Sequence, residues 1–274
     1  MTFKNVWLIT KNTFRGTVTG RWLILFATVF LLIIINIPLL FLISNTDVNA
    51  SFLNAWVPYL IDISFPFLPL LALPVGAPMI VEERELGILQ FTLSNPVSKM
   101  EYLSGKILGL LIATTMVILA AFGLASATAY GTRLSLYSNI ILVVVSGSAL
   151  NVTMVALATT ISLLTRRKTT AMGIGLFVWF LLTTISDLGL MSIIVNLNYT
   201  PWVTTWLVLL NPVEVGSVLA SFLSGVPVES LSSTALSVHH VLLGSATFVV
   251  GLMAVIWIVV MVAICYAVFL KQDI

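Results

Sequence analysis

Long apolar runs alternate along this chain with short polar intervals, and six of the runs are of bilayer length. They occupy residues 22–44, 57–81 (uncharged from 63 onward), 107–132, 134–165, 169–195 and 241–270. A helix needs roughly 20 residues at 1.5 Å rise to cross about 30 Å of hydrocarbon, so each run predicts a transmembrane helix. Between the fifth and sixth, residues 202–210 are apolar but stop at Asn211-Pro212, too soon to cross. A full crossing there would also make the number of spans odd. Residues 202–226 are therefore expected to form a re-entrant helix pair dipping in from the outer face, with 215–226 as the returning arm. Such backbone persists at membrane depth only where protein or a water-filled cavity surrounds it.

Composition agrees with an all-α membrane protein built as one transmembrane domain over residues 1–274. With 59% hydrophobic and 8% charged residues and a mean hydropathy of +1.14, the chain lacks the polar surface to cover a soluble globule. Basic residues give the orientation. With the N-terminus inside, eleven of the twelve Lys and Arg are cytoplasmic: four before the first span, three between spans two and three, Arg166-Arg167-Lys168, and Lys271; Arg133 is the exception. Both termini are thus expected on the cytoplasmic side of a cell membrane. The first run begins only after Lys4, Lys11, Arg15 and Arg21 and ends at no small-residue cleavage site, so it reads as a retained span. At about 100° per residue, Lys4, Lys11 and Arg15 share a narrow arc beside Phe3, Trp7 and Phe14, which predicts an interfacial helix over residues 1–21.

Polar chemistry is concentrated in residues 82–106, from Glu82-Glu83-Arg84-Glu85-Leu86-Gly87 through Asn95-Pro96-Val97-Ser98 to Gly105-Lys106. A charged helix at a loop is something a soluble partner can grip. Glu82, Glu83 and Glu85 are read at its start, where the helix dipole favours acids. The span before it carries half the prolines, Pro58, Pro66, Pro69, Pro74 and Pro78. Each interior proline removes a backbone hydrogen bond, which predicts a kinked or locally unwound helix, with Pro69 and Pro74 lining a central path. Spans three and four carry small residues, Gly105, Gly109, Gly123 and Ser146-Gly147-Ser148-Ala149, suited to close helix packing. Asp187, inside the fifth run, is the candidate intramembrane site, because an ionised carboxylate in hydrocarbon costs about 2.5 to 3.5 kcal/mol and so faces a cavity or partner.

Several chemistries are excluded. The single Cys265 allows no intramolecular disulfide or multi-cysteine metal centre. No Gly-x4-Gly-Lys-Ser/Thr loop occurs, since Met100 stands where Gly105-Lys106 would need its first glycine, so ATP is not bound here in that way. Glu82-Glu83 lacks the arginine that a glutamate-type membrane protease needs four residues on, and Ser146-Gly147-Ser148 has no histidine in reach to activate a nucleophile. No catalytic residue, metal or nucleic-acid partner is expected. Adjacent His239 and His240 cannot both face one metal from a helix. Asn49-Ala50-Ser51 and Asn198-Tyr199-Thr200 are acceptor sequons on expected outer loops.

Residues 81–89, Leu93-Ser94-Asn95-Pro96-Val97-Ser98 and Tyr102-Leu103-Ser104-Gly105-Lys106 resemble the acidic, Gly, Pro-Val-Ser and Gly-Lys pattern of ABC-type-2 transporter permeases. Residues 171–180, Ser186-Asp187-Leu188 and 206–212 narrow the resemblance to the NosY-type permeases of nitrous oxide reductase maturation. The resemblance implies a homodimer in membrane lipid on two nucleotide-binding ATPase subunits, which would hold the ATP and Mg, with no cofactor in this chain. It assigns ATPase coupling to Glu82, Glu83, Glu85, Gly87, Pro96 and Lys106. It also implies export for an extracytoplasmic copper enzyme, with an extracytoplasmic accessory protein. The alternatives are an ABC permease for drugs, lipids or ions, or an ion-coupled secondary transporter, whose usual cluster of midplane ionisable groups is here reduced to Asp187.

Overall fold

The computed structural model describes residues 3–44, 50–131, 137–190 and 201–272, so Arg133 and the sequon residues Asn49 and Asn198 lie outside the description. The described residues are helical, with no strand among them. In order, the helices are α1 (Phe3–Val18), α2 (Arg21–Ser44), α3 (Ala50–Gly76), α4 (Met79–Glu85), α5 (Ile88–Leu93), α6 (Lys99–Tyr130), α7 (Tyr137–Leu164), α8 (Lys168–Phe180), α9 (Pro201–Leu210), α10 (Pro212–Leu223), α11 (Ser233–Leu242) and α12 (Ala246–Leu270). A π-helical turn, Leu181–Ile185, extends α8, and the helix then continues to residue 190. Six stretches have the length and hydropathy of membrane spans: α2, α3 with α4, α6, α7, α8 with its extension, and α11 with α12. The protein is a multi-pass membrane protein.

Where a re-entrant pair is expected, α9 and α10 form a helix pair bent by 109° about Asn211. Asn211 makes the corner. Its side-chain oxygen accepts from the Val213 amide at 2.9 Å, and Pro212 stands at the first helical position, where no N–H is needed. The returning arm begins at Pro212, three residues before the expected 215, because that cap nucleates it at once.

Three expectations are corrected. Pro58, Pro66, Pro69 and Pro74 lie inside an unbroken α3, and the span opens only after Gly76, ahead of Pro78. Gly76 is there for closeness, since a Cβ would come within 2.6 Å of Leu110 and 2.9 Å of Ala158. The third span starts at Lys99 and not at 107. Ser98 and Glu101 form a capping box, with the Glu101 amide donating to Ser98 Oγ (3.2 Å) and the Ser98 amide to Glu101 Oε2 (3.1 Å), so the end of the polar segment and the span are one helix. The sixth span begins within α11 and is interrupted by a 3-10 turn, Leu243–Ser245, with Leu243 at a positive φ of 49°.

The centre of the bundle is α3, packed against α2, α7, α8 and α10 and fully burying Trp56, Phe65 and Leu68. Lipid tails are as apolar as these side chains, so close packing and interhelical hydrogen bonds hold the helices together. Asn151 of α7 donates to Thr114 Oγ1 (2.8 Å) and Thr115 Oγ1 (3.1 Å) of α6. Ser146 donates to the Gly216 carbonyl at 2.8 Å, tying α7 to the returning arm. Helix α1, expected to be interfacial, lies along α6, where Gly105 and Gly109 leave room for Ile9 and Thr13. It buries Thr10 and Thr13 and leaves Lys4, Lys11, Arg15 and Trp7 exposed, so threonines and not aromatics make its packing face.

Candidate functional site

The two ends of the bundle carry different polar constructions. At the basic end, α4, α5, the start of α6, the α7–α8 junction and the C-terminus of α12 converge. The α4 helix has no side-chain cap of its own. Instead its Ile80 and Val81 amides donate to Ser162 Oγ of α7 at 2.9 and 3.0 Å, satisfying donors that a helix start leaves open. Arg84 reverses the arrangement at the other helix end, donating to the Thr165 carbonyl at 3.3 Å and to Gln272 Oε1 at 3.0 Å, a favourable place for a cation at the C-terminus of α7. Lys99 Nζ donates to the Gln272 carbonyl at 2.7 Å.

The acidic residues close this frame. Glu83 pairs with Lys106 and accepts a hydrogen bond from the Tyr102 hydroxyl. Lys106 is nearly buried, with 9% of its side chain exposed, so Glu83 is the charge that lets it sit there. Glu82 pairs with Lys168, both about 40% exposed, and Glu85 accepts from the Lys168 amide at 3.1 Å. The acids run from the middle of the seven-residue α4, where Glu82 still belongs to the first turn, to its C-terminal end, and not from the start of a coupling helix as the sequence pattern implied. At Glu83 and Glu85 the helix dipole is unfavourable, and Lys106 and the Lys168 amide offset it.

Gly87 separates α4 from α5 with φ +72°, a left-handed conformation that costs an L side chain about 1 kcal/mol or more. This elbow turns out a short uncharged helix, exposing Leu86 (67%), Ile88 (44%) and Phe91 (74%). Pro96 follows in the next turn, its carbonyl accepting from Asn5 Nδ2 of α1 at 3.2 Å. The six residues read from the segment thus divide. Glu82, Glu83, Glu85 and Lys106 join helices to one another, Pro96 anchors to α1, and Gly87 sets the elbow.

At the acidic end, a cavity of about 150 Å³ is lined by Asp62 of α3, Asp187 beyond the π turn of α8, and Glu214 of α10, with Phe65, Pro66, Val213, Ser217 and Thr234. None of these is Lys or Arg. Glu214 is buried, while Asp62 and Asp187 are exposed on the flank of the single chain. The π turn positions this group. Extra-wide turns free backbone carbonyls and concentrate at functional sites, and here Asn211 Nδ2 donates to the Leu182 carbonyl at 2.6 Å and to Ser186 Oγ at 2.8 Å. Trp179 Nε1 donates to the Pro66 carbonyl at 2.8 Å, fixing α8 on the proline-rich helix.

Of the expected path residues, only Asp187 reaches this cavity. Pro69 is buried in the core, and Pro74 lines a separate cleft at the basic end. The proline at the acidic cavity is Pro66. Asp62 and Glu214 were not expected there. Asp62 sits within the second apolar run and could have been noticed as a carboxylate inside a span, whereas Glu214 reaches the cavity only because the chain bends at Asn211.

Known proteins complete the picture. Residues 7–274 match the family described as ABC-2 family transporter protein. The chain is 27% identical over 274 residues to a probable ABC transporter permease protein NosY of Stutzerimonas stutzeri, covering 97% of this chain and 98% of that one. It is 28% identical over 216 residues to a probable ABC transporter permease protein NosY of Pseudomonas aeruginosa, covering 76% and 78%. With a matching pattern along the whole length, six spans and a bent helix pair, this chain belongs to the ABC-2 family and is a permease subunit of an ABC transporter.

Proposed function

We propose that the α4–α5 elbow couples this permease to a separate ATPase, and that two copies of the chain enclose a path at whose outer end the three carboxyl groups lie. The observation that carries the coupling is the exposed apolar helix α5, hinged at Gly87 and set on a frame of satisfied charges. An apolar patch on a polar end of a membrane protein marks a docking surface for a soluble partner, and ATP with Mg would reside in that partner. Movement of α5 would pass through α4 directly to α3, the most buried span.

The dimer follows from electrostatics. Asp62 and Asp187 are open on one flank of the single chain, and a carboxylate facing lipid costs about 2.5 to 3.5 kcal/mol. A second copy over that flank would convert lipid contact into a shared polar path. The excess of lysine and arginine at the elbow end supports a cytoplasmic assignment for it and for both termini, in the cell membrane. Following the resemblance to the nitrous oxide reductase maturation permeases, the cargo is a component exported for an extracytoplasmic copper enzyme, with an accessory protein receiving it.

Purification in mild detergent tests the core of this reading. The expected result is a stoichiometric subunit carrying a phosphate-loop motif and vanadate-sensitive ATPase activity. Phe91→Asp should release that subunit while leaving the permease folded. A chain that purifies alone, or an F91D variant with unchanged ATPase, would refute coupling through α5; ion-driven transport through the acidic cavity would then lead. For the cargo, deletion of this chain should lower the copper content of the dependent enzyme, and an unchanged content would reject that assignment.

A further inference from the structure

A cleft of about 600 Å³ opens at the basic end between α1, the first turn of α2, and the junction of α3 with α4. Its two walls differ in chemistry. One is the polar, small-residue side of α1 with Thr13 and Gly16, continued by Arg21 and Trp22; the other is apolar and includes Pro74 and Met79. Three cationic side chains, Arg21, Lys106 and Lys168, meet two carboxylates, Glu82 and Glu83, leaving a cation in excess. Lys106 and Lys168 hold those acids. Arg21 is exposed and makes no ion pair among the described residues. Its guanidinium is the uncompensated group.

The first turn of α2 points into the same space, bringing the positive end of a 24-residue helix to the cleft. Half-exposed Trp22 lies at the rim, and α1 beside it is an amphipathic helix with basic residues outward, both of which belong at headgroup depth.

We propose that this cleft holds an acidic glycerophospholipid of the adjacent leaflet. Its phosphate would lie against Arg21 and the α2 N-terminus, and an acyl chain would follow the wall of Pro74 and Met79. A guanidinium over a phosphate is a charge-assisted contact, and the apolar wall supplies what a soluble phosphate cannot use. The bound lipid stands between α1 and the base of the elbow, since Leu86 and Ile88 also border the cleft. Its presence does not depend on what the elbow docks with.

The test uses the full chain, purified in mild detergent with its accompanying subunits. It is incubated with equimolar phosphatidylglycerol and phosphatidylcholine of identical acyl chains, and retained lipid is read by native mass spectrometry. Phosphatidylglycerol should be retained with roughly tenfold preference. Arg21→Glu should abolish that preference. Gly16→Phe should lower retention as much without changing any charge, because a Cβ at Gly16 meets nothing within 4 Å and the ring would fill the cleft. Lys11→Glu, on α1 but outside the cleft, should change nothing. Equal retention of the two lipids by the unmodified chain would overturn the proposal, as would an equal loss with Lys11→Glu. Displacement by millimolar glycerol 3-phosphate would reassign the site to a soluble phosphate and overturn it too.

Discussion

At the basic end Glu82 and Glu83 each have a lysine; at the acidic end three carboxyl groups share a cavity whose lining holds no cation. The same residue types therefore do opposite things. Where Glu83 meets Lys106 and Tyr102, charge is spent inside the fold to lock α4 onto α6, and the part left for a partner is the uncharged helix α5. Where Asp62, Asp187 and Glu214 meet, no lysine or arginine among the described residues lines their cavity, the signature of a surface completed by water, cargo or a second subunit. A cluster of charges in a membrane protein is thus not by itself a contact site. What matters is whether its members are already satisfied.

Substitutions can break this contrast, beginning with the largest effect. Glu83→Ala strands a nearly buried ammonium, and loss of one partner from such a pair should cost about 2 to 4 kcal/mol. Thermal unfolding followed by size-exclusion chromatography should show a marked drop, and a wild-type profile would mean that Lys106 finds another acceptor. Asp62→Asn and Asp187→Asn should do the reverse, sparing or raising stability while reducing transport roughly tenfold, equivalent to about 1.4 kcal/mol. Normal transport in vesicles by both variants would remove the cavity from the path.

Smaller effects sharpen the division at the elbow. Gly87→Ala forces a side chain into a left-handed conformation and should cost about 1 kcal/mol of stability. Its effect on ATPase stimulation should be greater than that loss explains, because it re-aims α5. Glu82→Ala removes a pair that is about 40% exposed on each side and should change stability by less than about 1 kcal/mol. If it proved as damaging as Glu83→Ala in the same melt, the distinction between a buried lock and a solvated pair would fail.

Much of this architecture was legible because hydrocarbon imposes it. Apolar runs of bilayer length can only be helices, and Asn211-Pro212 after nine apolar residues interrupts the next, so six span-length helices and the corner of the bent pair followed from pattern alone. Gly87 was named from the family pattern as a coupling residue, and its left-handed conformation came only with the structure. Which way the acids of the polar segment face was not legible. Their position in α4 depends on where Gly87 breaks the helix, and their partners Lys106 and Lys168 come from α6 and α8.

The sequence by itself determined six helices long and apolar enough to span a membrane, a break at Asn211-Pro212, and one polar segment with a family pattern. The tertiary structure decided which carboxylates are locks and which are open. Asp62, Asp187 and Glu214 are separated by 125 and 27 positions and become one site only because α3, the π-turned end of α8 and the returning arm α10 pack together. Periodicity reports the environment along one helix. Electrostatic compensation depends on distances between helices, and those are set by close packing at Gly76, Gly216 and Asn211 that no local pattern encodes.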